Sequence, residues 1–246
     1  NDSGSNKGLI MKNILARGGI EFIAVLLGIS GSLYIDDLQN QNEMKTQISK
    51  SMHALIGELN SNSEQLSKLE EKLLKDLPEL DKLIKKDSID SLAPIDLDKR
   101  IFKAFTNWGR PLNRVVFNSI ESSGLIYNIN DDSLRNDIIN LYENTYSRFD
   151  YVVDYELTDI KKLDNTYVKA FILKDDSSST SWIIDWSIKA NRDQLKSNQL
   201  LMNHFIISRA NKRILQKTIP LQKQMTQILI SRIKNHSIFI KDLKVE

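Results

Sequence analysis

ISKSMHALIGELNSNSEQLSKLEEKLLKDL, residues 48–77, is the stretch on which the fold turns. Its key positions recur at alternating intervals of four and three: Ile48, Met52, Leu55, Leu59, then Asn62, Leu66, Leu69 and Leu73. That is a heptad seam on one side of a helix, with Asn62 its single polar member. A helix from about Asn40 to Leu77 would run about 55 Å at 1.5 Å per residue. Asn62 has two readings. It fixes register or oligomeric state between chains, or it is a polar layer inside an intramolecular bundle. Further helical patterns in the same chain favour the second. Pro78, and then Ser91-Leu92-Ala93-Pro94, should end the region in a loop.

Downstream, Asp96 or Asp98 can cap a short helix carrying Ile101, Phe102 and Phe105, broken by Gly109-Arg110-Pro111. A second short helix, Leu112 to Ser122, should stop at Gly124 in a left-handed cap. Asn130 or Asp131 then caps a long helix whose inward positions are Leu134, Ile138, Leu141, Thr145, Phe149, Val152 and Leu157, continuing to Ala170. KDDSSSTS, Lys174 to Ser181, reads as a polar loop, and only Trp182 to Ile184 looks strand-like. A last long stripe runs Leu201, Phe205, Ser208, Lys212, Leu215, Ile219, Gln222, Thr226, Leu229, Ile233, His236 and Ile240, with Pro220 expected to kink or split it. The expected fold is all-α: about three long helices plus short connecting helices in an elongated bundle.

Upstream of the seam lies IEFIAVLLGISGSLYI, Ile20 to Ile35, with Glu21 its one ionisable residue. At about 24 Å it is slightly short of a bilayer core, but Leu15, Ala16 and Leu38 extend it, and Lys12 and Arg17 can snorkel. An uncleaved signal peptide is the rival reading, with Ser30-Gly31-Ser32 resembling a small-residue cleavage site. The segment is part of the present chain, which favours a retained single span continuing into the bundle. Lys7, Lys12 and Arg17 precede it, whereas Asp36, Asp37 and Glu43 follow, so the positive-inside rule expects a cytoplasmic N-terminus. The expected organisation is therefore residues 1–38, N-terminus and transmembrane helix, and residues 39–246, a periplasmic helical bundle at a bacterial inner membrane. The chain opens on Asn1, which fits an incomplete or processed N-terminus, with Met11 an alternative start. Glu21, Ala24, Gly28 and Ser32 stack on one side of the span. Small residues at that spacing admit a second transmembrane helix, and a carboxylate there favours a partner or the headgroup layer over lipid tails.

The chain has 246 residues, 41% of them hydrophobic and 27% charged, enough to bury a real core. Lys+Arg 34 against Asp+Glu 32 leaves a net charge of +2, too balanced for a nucleic-acid binder held by phosphate contacts. Gly 9 and Pro 4 are few for a turn-rich β-sandwich, barrel or doubly wound fold. With Cys 0, disulfides, thiolate metal sites and thiol catalysis are excluded.

No catalytic pattern stands out. His53, His204 and His236 are far apart and belong to no ligand motif. Asp36-Asp37, Asp131-Asp132 and Asp175-Asp176 fall at helix ends or in a loop, where capping and solvation explain them better than a metal. Phosphate-binding loops, nucleophile elbows and kinase signatures are missing. Ser119, Ser122 and Ser123 precede Gly124 without a neighbouring base, and helix-end capping is their simpler role. Trp182 and Trp186 are candidate interface aromatics or an aromatic cradle, packing being the simpler account. No cofactor and no enzyme activity are expected.

Two blocks carry a resemblance. Glu21, Gly28 and Asp36-Asp37 stand in the register of a Gly-Glu transmembrane signature, although Ile20 replaces the usual Gly and Leu38 the usual Trp. RVVFNSIESSGLIYNINDDSLRNDIINLYE, Arg114 to Glu143, is similar to a Ser-Ser-Gly-Leu block followed by a Leu-Arg-led helix. Together they resemble a bacterial family of membrane-anchored proteins of unknown function found in Bacteroidetes. The resemblance implies a single span and a mainly helical extracytoplasmic part, with no activity or catalytic residues to carry over. The expected function is a non-catalytic accessory subunit that docks onto a larger membrane assembly. Its expected partners are membrane lipid and other subunits, or itself through the span, and no nucleic acid. The alternative is an extracytoplasmic ligand sensor acting through a separate transducer, which requires a pocket with converging polar groups.

Overall fold

In the computed structural model, backbone is described for residues 4–85, 89–92, 96–97, 100–101, 109–174, 187–190 and 196–236. Side chains are described for the same residues except 4–21, 23–24, 159–174 and 187–190. The elements are α1 (Gly4–Ile84), α2 (Val115–Ser122), a 3-10 turn (Leu125–Asn128), α3 (Asp132–Asn140), a π-helical turn (Leu141–Tyr146), α4 (Ser147–Ala170), β1 (Phe171–Lys174), β2 (Ser187–Ala190) and α5 (Gln199–Asn235). The chain divides into two compact units, Asn1–Ser51 and Met52–Glu246.

The first unit is the opening part of α1. Every side chain described from Phe22 to Gln47 is exposed. Among the described residues no helix is long and apolar enough to cross a membrane.

The second unit is an all-α bundle with one small hairpin. The heptad seam of α1 packs as its spacing predicts: Met52, Leu55, Leu59, Asn62, Leu66, Leu69 and Leu73 are all buried. α1 does not stop at Pro78, contrary to expectation, but runs on to Ile84. Proline costs about 3 kcal/mol inside a helix. Here Pro78 is on the exposed side, and the turns beyond it bury Leu80 and Leu83 against Ile101, Leu201 and Phe205. Core burial outweighs the lost hydrogen bond. Pro220 likewise neither splits nor ends α5, which is continuous through it. It too faces solvent, where water can reach the carbonyl it leaves unpaired.

The described part of the first short helix keeps Leu97 and Ile101 buried, while Asp98, Phe102 and Phe105 lie outside the described residues. α2 begins at Val115, three residues later than the expected Leu112, because residues 111–114 are not helical. It closes at Gly124, whose φ of 75° is the left-handed conformation that a glycine adopts without strain. Gly109 is constrained differently: a Cβ there would overlap Val153 Cγ2 on α4. Gly109→Ala should therefore cost about 2 kcal/mol by overpacking. Trimming Val153 to alanine in the same chain should remove the clash, so the double variant should cost no more than Val153→Ala alone, and denaturant midpoints of the four chains would check this.

α3 starts as expected, Asp131 Oδ1 accepting the Leu134 N–H at 2.9 Å. That bond holds the Asp131 carboxyl below its ordinary range. The inward stripe then departs from the expected one. After Leu141 the buried residues are Tyr142, Tyr146, Phe149, Val153 and Glu156, not Thr145, Val152 and Leu157. The π-helical turn is the reason. Its wider winding advances the phase by about one residue, so the positions that face inward shift.

The hairpin is a second departure. β1 and β2 pair antiparallel, Phe171 opposite Ala190 and Lys174 opposite Ser187. Lys174, the first residue of the expected polar loop, ends β1, and the rest of that loop and the strand-like Trp182 to Ile184 lie outside the described residues.

α5 closes the unit. Its stripe from Leu201 to Ile233 is buried at every expected position, polar members included. His236 ends the helix, and Ile240 lies outside the described residues. No Asp or Glu occurs anywhere in α5. Instead its basic residues collect carboxylates from three other helices: Lys223 from Glu70 (2.8 Å), Arg209 and Arg213 from Asp81 (3.1 and 3.0 Å), Arg232 from Asp137 and Lys212 from Glu156. Opposite charge thus fixes which helices α5 lies between.

Candidate functional site

The densest polar arrangement is built on one edge of the α1 seam. Glu58, Asn62 and Gln65 follow one another at intervals of four and three, so they line up along the helix. Opposite them runs the non-helical segment 110–114, whose backbone has no ladder or helix to satisfy it. The three side chains supply the missing partners. Asn62 pairs with both polar atoms of Asn113, accepting its N–H at 2.8 Å and donating to its carbonyl at 2.9 Å. Gln65 donates to the Arg110 carbonyl at 2.7 Å. Glu58 accepts the N–H groups of Val116 and Phe117 at 2.7 and 3.4 Å. Arg114, at the N-cap of α2, makes no side-chain cap bond. A carboxylate from another helix therefore does the capping, where the helix dipole favours negative charge.

The other flank of the segment is gripped by α4 and the turn before it. Arg114 reaches Asp150 (3.1 Å), Glu143 (3.4 Å) and the Ser147 hydroxyl (2.9 Å). The Leu112 N–H donates to Asp150 at 3.0 Å. Burial pushes the Asp150 carboxyl above its ordinary range despite those donors.

Beneath the segment, the π-helical turn sets Tyr142 and Tyr146 into the core. Tyr142 stacks on Phe117 with ring centres 4.3 Å apart, meets Tyr146 edge-on at 5.2 Å, and donates to Glu58 at 2.7 Å. Burial, reinforced by the Glu58 carboxylate, pushes the Tyr142 phenol far above its ordinary value, so it stays a neutral donor. The Tyr146 hydroxyl is 2.8 Å from that of Thr226, and burial pushes it up to about 12. Between pH 10 and 12 the folded chain keeps this proton while the unfolded chain loses it. The folded state then binds more protons, so stability falls as pH rises, by up to about 3 kcal/mol. Denaturant melts at pH 9 and 12 on wild type and Tyr146→Phe would isolate this part, which the variant should lack.

A second buried polar set joins α4 to α5. Lys212 and Glu156 form an ion pair with almost no solvent exposure. Ser208 donates to Glu156 at 2.9 Å and accepts from Lys212 at 2.8 Å. A hydroxyl four residues from an amine looks like a nucleophile and its base. The amine is tied to a carboxylate and sealed from solvent, so the set holds two helices together and has no substrate access.

Gly28 and Ser32 are exposed, a Cβ at Gly28 would meet nothing within 4 Å, and the Ser32 hydroxyl donates to Ile29 at 2.9 Å. The side chains of Glu21 and Ala24, and all of Trp182 and Trp186, lie outside the described residues, as do Asp175 and Asp176. His53 is exposed, His204 buried and His236 a helix end. Among the described residues no three His, Asp or Glu side chains could hold a metal ion. An open surface groove of about 350 Å³ lies beside Gln65, lined by Lys68, Lys72 and Arg110.

Sequence reasoning missed Glu58, Gln65, Tyr142 and Tyr146. The first two were signalled by their heptad spacing around Asn62. Comparison with known proteins adds no relative: no family model, no curated protein and no solved structure matches this chain.

Proposed function

We propose that the chain is a membrane-anchored, non-catalytic accessory subunit that docks onto a larger membrane protein assembly. In this reading it belongs to the bacterial inner membrane, with a cytoplasmic N-terminus and a periplasmic bundle. The observation that carries it is the surface of the first unit. Phe22, Val25, Leu26, Leu27, Ile29, Leu33, Tyr34 and Ile35 are each more than half exposed. At 100° per residue these positions lie on all sides of the helix. An apolar surface around a whole helix needs lipid or protein to cover it. The basic residues before it and acidic residues after it support the stated orientation. The segment that carries Glu21, Ala24, Gly28 and Ser32 is then the natural contact for another span.

The test is gentle detergent extraction from the native membrane, with sizing and identification of co-purifying polypeptides, preceded by an alkaline wash. Retention through the wash and a discrete multi-subunit complex are expected. Release by the wash would remove the anchor, and a monomer would remove the accessory role and turn attention to ligand screening. Glu21→Gln and Gly28→Leu should each weaken assembly, and assembly unchanged by both would remove the face as a contact.

A further inference from the structure

α5 carries a second apolar stripe that its core does not use. Leu200, Ile207, Ile214, Leu221 and Ile228 recur at strict intervals of seven. Leu200, Ile214, Leu221 and Ile228 are each about half exposed or more. A seven-residue repeat on a helix of 3.6 residues per turn drifts by about 20° per repeat, tracing a left-handed stripe. A second helix wound left-handed along α5 would stay on such a stripe for four repeats. The positions between stripe members, three residues on from each, are Asn203, Ala210, Lys217, Gln224 and Ser231. None is a carboxylate, and Lys217 stands exposed between Ile214 and Leu221 with no carboxylate partner among the described residues.

We propose that this face of α5 is the docking surface for an amphipathic helix of a partner protein, with aliphatic residues at heptad spacing and carboxylates flanking them. Charge decides the occupant. A second copy pairing through its own α5 would oppose two helices that contain no acidic residue, Lys217 near Lys217 at the centre. An acidic-flanked helix meets the same stripe with opposite charge. The proposal rests on the accessory reading and assigns it a contact outside the span.

The experiment uses the full chain in nanodiscs. The probes are two labelled four-heptad peptides with leucine at the seam, one flanked by glutamate and the other by lysine. Fluorescence anisotropy should give micromolar binding of the glutamate peptide, at least about tenfold tighter than the lysine peptide and weakened by salt. The double variant Ile214→Asn, Leu221→Asn lies on exposed positions and should keep the melting temperature. It should lose about 100-fold in affinity, roughly tenfold per buried aliphatic residue. Equal binding of both peptides, or unchanged binding by the double variant, would overturn the proposal. So would a dimer of the wild type that the double variant abolishes. Native-membrane extraction separates the two readings. A partner that still co-purifies with the double variant removes only this face, whereas no partner with the wild type removes the accessory role itself.

Discussion

Lys212→Met should lower the unfolding free energy by about 4 kcal/mol, because it leaves the Glu156 carboxylate buried without its cation. Methionine fills much of the space the lysine stem occupied, so little of this loss comes from a cavity. Among the described residues Ser208 alone remains as a donor to Glu156, and one hydroxyl does not compensate a buried charge. The decisive comparison is the double variant Lys212→Met, Glu156→Leu. With both charges gone, their dehydration is no longer required, and most or all of the lost stability should return. Urea denaturation of the wild type, both single variants and the double variant gives the coupling directly. A Lys212→Met cost below about 1 kcal/mol, or a double variant no better than the single, would show that the pair is not isolated from water.

Glu58→Ala should be nearly as severe, at about 3 kcal/mol, through two separate losses. The buried Tyr142 hydroxyl loses its acceptor, at about 1–3 kcal/mol, and α2 loses the carboxylate that caps its Val116 and Phe117 N–H groups, at about 1 kcal/mol. Glu58→Gln keeps an acceptor for Tyr142 but not the charge at the helix N-terminus, so it should cost about half as much. Amide hydrogen exchange provides a local readout. Protection at Val116 and Phe117 should fall in Glu58→Ala by more than the global destabilisation accounts for. Uniform loss across the unit would mean that Glu58 supports the core as a whole and not this helix end.

The long helices were legible because their apolar spacing is dense: the α1 seam and the α5 stripe pack at the expected positions, even where Ser208, Lys212 and Thr226 interrupt the latter. Both proline breaks were misjudged for one reason. Local chemistry gives the cost of a missing N–H, but whether the proline faces water, and what the next turn buries, are tertiary facts. The shift from Val152 to Val153 was illegible for a different reason, since a π-helical turn leaves the residue pattern intact and changes only the winding. The polar clasp was half legible. Asn62 was recognised as an intramolecular layer, yet its partner is backbone, and no side-chain pattern announces a backbone partner. The span face stands as the sequence presented it, a proposal for the membrane experiments above.

The absence of carboxylates in α5 has a consequence for how the bundle assembles during synthesis. Its acidic partners Glu70, Asp81, Asp137 and Glu156 are all translated earlier, and the most distant pair, Glu70 and Lys223, is separated by 153 residues. Until α5 emerges, these four carboxylates lack the cations that pair with them in the finished bundle, and the apolar seam of α1 lacks its cover. The bundle is therefore completed only when its last described helix brings those cations and its own apolar stripe. Contacts of such long sequence separation also make the final step slow. Stalling synthesis before residue 199 should leave a chain that is readily proteolysed, and release of α5 should confer resistance in one step.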